Sequence, residues 1–177
     1  MLAIVRWCSC LVGVLAMGCS PALNWREARF AAAPARLLLP CKPDKATRDV
    51  DMGGQVLSLE MQGCVASGIT FAVSHIVVQD AARVAPLLEG WKRAVLAHLG
   101  ATEVREMPWA PSGGWTLPQS VRLQGRASRG GGEPMALSAA WFARIDGSGV
   151  HLFHAIVLAP TLESEATETF FAGMAMP

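Results

Sequence analysis

Two apolar runs, Met135 to Ile145 and Val150 to Leu158, are separated only by Asp146-Gly147-Ser148-Gly149, and no other feature narrows the fold as much. Long β-favouring segments joined by so short a glycine-containing link close on each other as an antiparallel hairpin. The rest of the domain must be built around that pair. Ser148 belongs to the hairpin turn, because a nucleophilic serine in a Gly-x-Ser-x-Gly context needs a strand-to-helix elbow.

The remaining segments read as further short strands. Thr47 to Met52 and Val56 to Gln62 flank Gly53-Gly54, and Leu57, Leu59 and Met61 alternate with Ser58, Glu60 and Gln62. That is the period of a half-buried strand, so a second hairpin is expected. Ala35 to Leu39 reads as a short buried strand closed by Pro40-Cys41-Lys42-Pro43, Gly63 to Gly68 as a turn, and Ile69 to Val78 as a central strand. Glu103 to Met107 and Gln119 to Gly125 complete the set, with Ser128 to Glu133 a flexible turn and Pro108 to Pro118 a long loop.

Two helices are expected. Val84, Leu87, Leu88, Trp91, Val95 and Leu99 recur every three or four residues, Asp80 can cap the segment, and Gly100 ends it. Pro86 is tolerated only in a first turn, which sets the regular helix to start near Ala85. Thr161 is a candidate cap for a last helix on which Ala166, Phe170 and Met174 share a face. Strands, helix, strands, helix is the order of an α+β domain with helices packed on an antiparallel sheet.

The N-terminus carries a different kind of signal. Arg6, an apolar stretch from about Trp7 to Met17, and the run Leu15-Ala16-Met17-Gly18-Cys19 resemble a bacterial lipoprotein signal with its lipidation site at Cys19. The stretch is too short to span a bilayer, which takes roughly 20 apolar residues. The expected organisation is a signal peptide over 1–18, a tether over 19–29 and one domain over 30–177. An ordinary secretory signal cut nearby is the plain alternative. Ser20 after the cysteine resembles the sorting pattern of outer-membrane lipoproteins, so the domain is expected to face the periplasm from the outer, or else the inner, membrane.

Without residues 1–18 the chain has 14 basic and 14 acidic side chains. Cations and acids read as interspersed, with no basic stripe for a phosphate backbone, so nucleic acid is not an expected partner. Of the five cysteines, Cys8 and Cys10 leave with the signal and Cys19 is acylated. Cys41 and Cys64 remain as a disulfide pair in an oxidising compartment, with two buried thiols or metal binding as alternatives.

Candidate chemistry is sparse. His151 and His154 are three apart on a strand and so point to opposite faces, which reads as one inward and one outward histidine. His75 and His98 read as structural, and Gly130-Gly131-Gly132 lacks the Lys-Ser/Thr of a phosphate loop. Glu163, Glu165 and Glu168 read as the start and solvated face of the last helix. Trp91 and Trp141 read as core. Trp109 and Trp115 flank Ala110-Pro111-Ser112-Gly113-Gly114, and two large rings in a loop suggest a partner-binding surface. The alternative is a loop folded back with both rings plugging the core edge.

Phe30 before a short strand into Pro40-Cys41-Lys42-Pro43, an aromatic strand before the long helix, the hairpin with Val150-His151-Leu152-Phe153-His154-Ala155, and the closing Glu168-Thr169-Phe170-Phe171 together resemble the Mog1/PsbP-like group. The resemblance implies a single-domain α/β/α sandwich with a non-enzymatic binding or assembly role and no active-site residues to carry over. The expected function is therefore a membrane-anchored periplasmic lipoprotein that binds a protein or envelope partner without a cofactor. A periplasmic hydrolase, or a small-ligand or metal carrier, is the alternative.

Overall fold

A computed structural model describes residues 23–33, 35–128, 132–161 and 164–177. The leader, Cys19, Gly130 and Gly131 lie outside the described residues, as do Leu162 and Glu163 between Thr161 and the last helix.

The central hairpin consists of β8 (Met135–Asp146) and β9 (Gly149–Ala159), turning at Gly147-Ser148. It is the middle of a seven-stranded antiparallel sheet with β3 (Asp44–Asp51), β4 (Val56–Ala66), β5 (Ile69–Val78), β6 (Thr102–Pro108) and β7 (Val121–Ala127), in the order β3-β4-β5-β9-β8-β7-β6. The chain builds one half outward-in, β3 to β5. It then crosses to the far edge through α1 (Val84–His98) and returns through β6, β7 and β8, so β9 closes on β5. A separate ribbon pairs β1 (Arg26–Ala28) with β2 (Leu37–Leu39), and α2 (Ser164–Ala172) ends the fold. The domain is thus mixed α+β, mostly antiparallel sheet with two helices.

Strand alternation separates two cores. Ile69, Phe71 and Val73 of β5, Ala140 and Phe142 of β8, and Phe153, Ala155 and Val157 of β9 share one cluster with Leu37, Leu39, Ala166, Phe170 and Phe171. The residues between them, Ile76 and Val78, Ala139 and Trp141, Leu152 and Ile156, join Leu123 and the α1 residues Val84, Leu87, Leu88 and Trp91 in the other. Period-2 side chains force this division, and it leaves β5, β8 and β9 apolar on both sides.

Several expectations change. The tether span contains β1, because Ala28 seals against the ribbon partner Leu37 and Phe30 is buried at 4 % exposure. A three-residue strand is too short to announce itself by period. The expected turn from Gly63 to Gly68 is only Ser67-Gly68, since β4 continues to Ala66. Gly63 serves close strand approach, as a Cβ there would lie 2.8 Å from the Phe71 carbonyl oxygen. Helix α1 begins at Val84 after a 3-10 turn over Ala81–Arg83, with Asp80 Oδ1 accepting the Ala82 N–H at 2.9 Å and Pro86 in the first turn.

Candidate functional site

A groove of about 420 Å³ lies between the first turns of α1 and the β3–β4 turn, lined mainly by Met52, Pro86, Leu87, Gly90, Trp91 and Ala94. Local chemistry sets its walls. Gly53 and Gly54 have φ of 63° and 77°, which lets the hairpin reverse tightly. Asp51 Oδ1 accepts the Gly54 N–H at 2.9 Å. Arg83 then fastens that turn to the helix start, its guanidinium donating to Gln55 Oε1 and, at 3.0 Å, to the Gly53 carbonyl. The floor is helix backbone at Gly90. A Cβ built there meets nothing within 4 Å among the described residues, so their packing does not demand glycine at this position.

Behind the groove wall, Trp91 (7 % exposed) backs onto His154, which stacks on Trp141 at 4.5 Å. Burial pushes the His154 imidazole down to about 3, so the ring is neutral near pH 7. Among the described residues, neither His154 Nε2 nor Trp141 Nε1 has a hydrogen-bond partner.

The opposite face of the sheet carries a polar chain that runs from buried His75 and His151 out to half-exposed Asp146 and exposed Ser148. His75 Nε2 lies 3.0 Å from His151 Nδ1, and His151 Nε2 reaches Asp146 Oδ2 at 3.2 Å and Ser148 Oγ at 3.0 Å. The expectation of one inward and one outward histidine at 151 and 154 is therefore corrected: both are buried, at 0 % and 6 % exposure, because β9 is covered on both faces. Ser148 donates its hydroxyl and its amide to Asp146 Oδ1, both at 2.7 Å, and these bonds lower the Asp146 carboxyl to about 2. A serine hydrolase places the serine and the carboxylate at opposite imidazole nitrogens. Here both meet Nε2 of His151, and the serine closes an Asx turn.

The loop from Trp109 to Ser120 straddles the end of the sheet. Trp109 stands edge-on to Phe142 and Phe171, at 5.5 and 5.7 Å, in one core, while Trp115 packs against the other. Both rings are half-buried. The backbone is pinned as well: Trp115 N–H donates to Ala143 O at 2.7 Å, Met176 N–H to Ser112 O at 2.8 Å, and Arg144 to Gly113 O at 2.8 Å. This is the folded-back arrangement, in which each indole seals an edge.

Glu168 is not simply a solvated helix residue. It receives two hydrogen bonds from Arg122 of β7, at 2.8 and 2.5 Å, and the guanidinium lies 4.1 Å from the Phe171 centroid. Those bonds hold the Glu168 carboxyl below its usual range. His98, the last residue of α1, is exposed, as is Glu165.

Cys41 and Cys64 stand at disulfide distance, with sulfurs 2.02 Å and Cα atoms 6.0 Å apart, joining the segment after β2 to β4. Among the described residues, no group of three or more His, Cys, Asp or Glu is placed to hold a metal ion. The groove itself escaped the sequence reading. Its signal was present in Gly90, a glycine inside an otherwise regular helical period. Compared with protein-family models, curated proteins and solved structures, the chain finds no match.

Proposed function

We propose that this chain is an exported lipoprotein, acylated at Cys19, whose domain is an α/β/α sandwich of the Mog1/PsbP-like kind and binds an apolar segment of an envelope partner without catalysis. One contrast carries this reading. His75, His151 and His154 are buried in the sheet faces, at 1 %, 0 % and 6 % exposure, with His75 hydrogen-bonded to His151. The accessible concavity over α1 is instead mainly apolar, with Met52, Pro86, Leu87 and Trp91 around an open backbone at Gly90 and with Asp51 and Arg83 also in its lining. Apolar concavities of this size suit a few inserted side chains.

The test is site-specific photo-crosslinking in the native envelope. A crosslinker at Ala94, on the groove, should capture a discrete partner, while one at His98, at the far end of α1, should not. Capture only from Trp109 or Trp115 moves the binding surface to that loop. Anchoring is tested separately: the wild type should incorporate a fatty-acid label and Cys19→Ser should not.

A further inference from the structure

The positive charge of the domain is concentrated where the tether joins it. From residue 23 to 45 there are five cations, Arg26, Arg29, Arg36, Lys42 and Lys45, against Glu27 and Asp44, whereas residues 46–177 carry nine cations against twelve acids. The even interspersion expected from the sequence therefore breaks down at the ribbon. All five cations are exposed.

The fold keeps these cations together. Asn24 N–H donates to Pro40 O at 2.8 Å, which sets Arg26 beside the segment that carries Lys42. Lys45 pairs in register with Gln62, whose side-chain amide donates to Arg29 O at 2.8 Å, so Arg29 and Lys45 border one concavity, with Glu60 beside them. Glu27, paired with Arg29, borders another with Arg36. The acid on α2 that is fixed in place, Glu168, is held over β7. That is four strands from β4, about 19 Å at 4.8 Å per strand.

Tether length supplies the partner. Three residues separate Cys19 from Leu23, so an acylated Cys19 holds Leu23, four chain steps away, within about 14 Å of the lipid surface. Whatever surrounds Leu23, Trp25 and Arg26 then faces lipid headgroups. We infer that the basic end of the domain, Arg26, Arg29, Arg36 and Lys42 on and beside the β1–β2 ribbon with Lys45 at the start of β3, rests on the anionic headgroups of the bilayer, which turns the α1 groove on the other face of the sheet away from the membrane. This rests on the lipoprotein reading.

The experiment uses the processed chain, residues 19–177 with Cys19→Ser, so that neither an acyl chain nor the apolar leader contributes. It is sedimented with vesicles of phosphatidylglycerol and phosphatidylethanolamine, and with vesicles of phosphatidylcholine alone. Binding should be confined to the anionic vesicles and fall at least tenfold between about 0.05 and 0.5 M salt, as screened charges require. Each cation near an anionic surface contributes about fivefold, so Arg26→Gln, Arg36→Gln and Lys42→Gln together should weaken binding about 100-fold. Arg93→Gln with Arg126→Gln, remote from the ribbon, should leave it unchanged. Equal binding to both types, or a triple variant that binds like its parent, overturns the inference even if the wild type carries the fatty-acid label. Charge-dependent binding with an unlabelled wild type would overturn the anchor and leave the ribbon surface standing. An acidic peptide that competes no better than its neutral analogue would complete the case for lipid, and one that displaces the vesicles at low concentration would overturn it.

Discussion

His75 and His151 stack on neighbouring strands with ring centroids 5.2 Å apart and a nitrogen of each 3.0 Å from the other. The Asp146 carboxylate is an acceptor, so His151 Nε2 carries the proton that faces it. His151 Nδ1 then offers a lone pair, and His75 Nε2–H donates to it. His75 Nδ1 is left buried without a partner among the described residues. Burial, reinforced by the adjacent His151, lowers the pKa of His75 to about 4.

Acid sensitivity follows with a definite sign. In the unfolded chain a histidine takes its proton near pH 6.5, and in the native fold His75 resists until about pH 4. The unfolded state therefore binds more protons between those values, and stability is full above about pH 6.5 and falls as the pH drops toward 4. The loss from His75 should approach about 3 kcal/mol, at 1.36 kcal/mol per pH unit. His154 acts in the same direction and extends the loss toward pH 3. Urea unfolding at pH 7.5 and 4.5 measures it. His75→Gln keeps an amide donor for His151 and should flatten the dependence; an unchanged slope would show that the proton uptake occurs elsewhere.

The Cys41–Cys64 pair spans 23 positions and joins the ribbon to the edge of the sheet. Closing a loop of that length should stabilise the fold by about 3 kcal/mol on the chain-entropy account. Intact mass should rise by about two protons on reduction, the stoichiometry of one disulfide. Guanidinium unfolding with and without reductant then reads the energetic share. Two alkylatable thiols in native protein would remove the bridge.

Trp109→Ala should destabilise by about 3 kcal/mol, the low end for an aromatic truncation, because the ring is half-buried against Phe142 and Phe171. Trp115 packs on the other core and should cost somewhat less. Denaturant midpoints of the two single variants decide this. Losses within about 0.5 kcal/mol would mark the rings as surface residues after all.

The hairpin of β8 and β9, the β3–β4 hairpin and α1 were legible because period and turn chemistry act over adjacent residues. What the sequence hid was coverage. His151 and His154 do point to opposite faces, but only the fold reveals that both faces are enclosed, one by the ribbon side and one by α1. β6 is exposed along its whole length, yet it pairs with β7 because Arg105 to Pro108 find register with Gln124 to Val121, a long-range match that local pattern does not encode. The groove depends on Arg83 reaching Gly53 across 30 positions, and the basic end of the domain was readable as a local excess of cations only once the ribbon set the boundary.

Gly90 separates stability from binding at the groove. Glycine inside a helix costs about 0.5–1 kcal/mol relative to alanine, from the backbone freedom it loses on folding. At Gly90 a Cβ has open space around it, so Gly90→Ala should raise the denaturant midpoint by about that amount. A larger side chain at the same place projects into the space bordered by Pro86, Leu87 and Trp91. Gly90→Leu should therefore retain the helix and the fold while blocking crosslinking from Ala94. If Gly90→Leu leaves capture intact, the groove is not the binding surface. If Gly90→Ala destabilises instead, some contact within the domain already requires glycine there, and the open helix backbone loses its functional meaning.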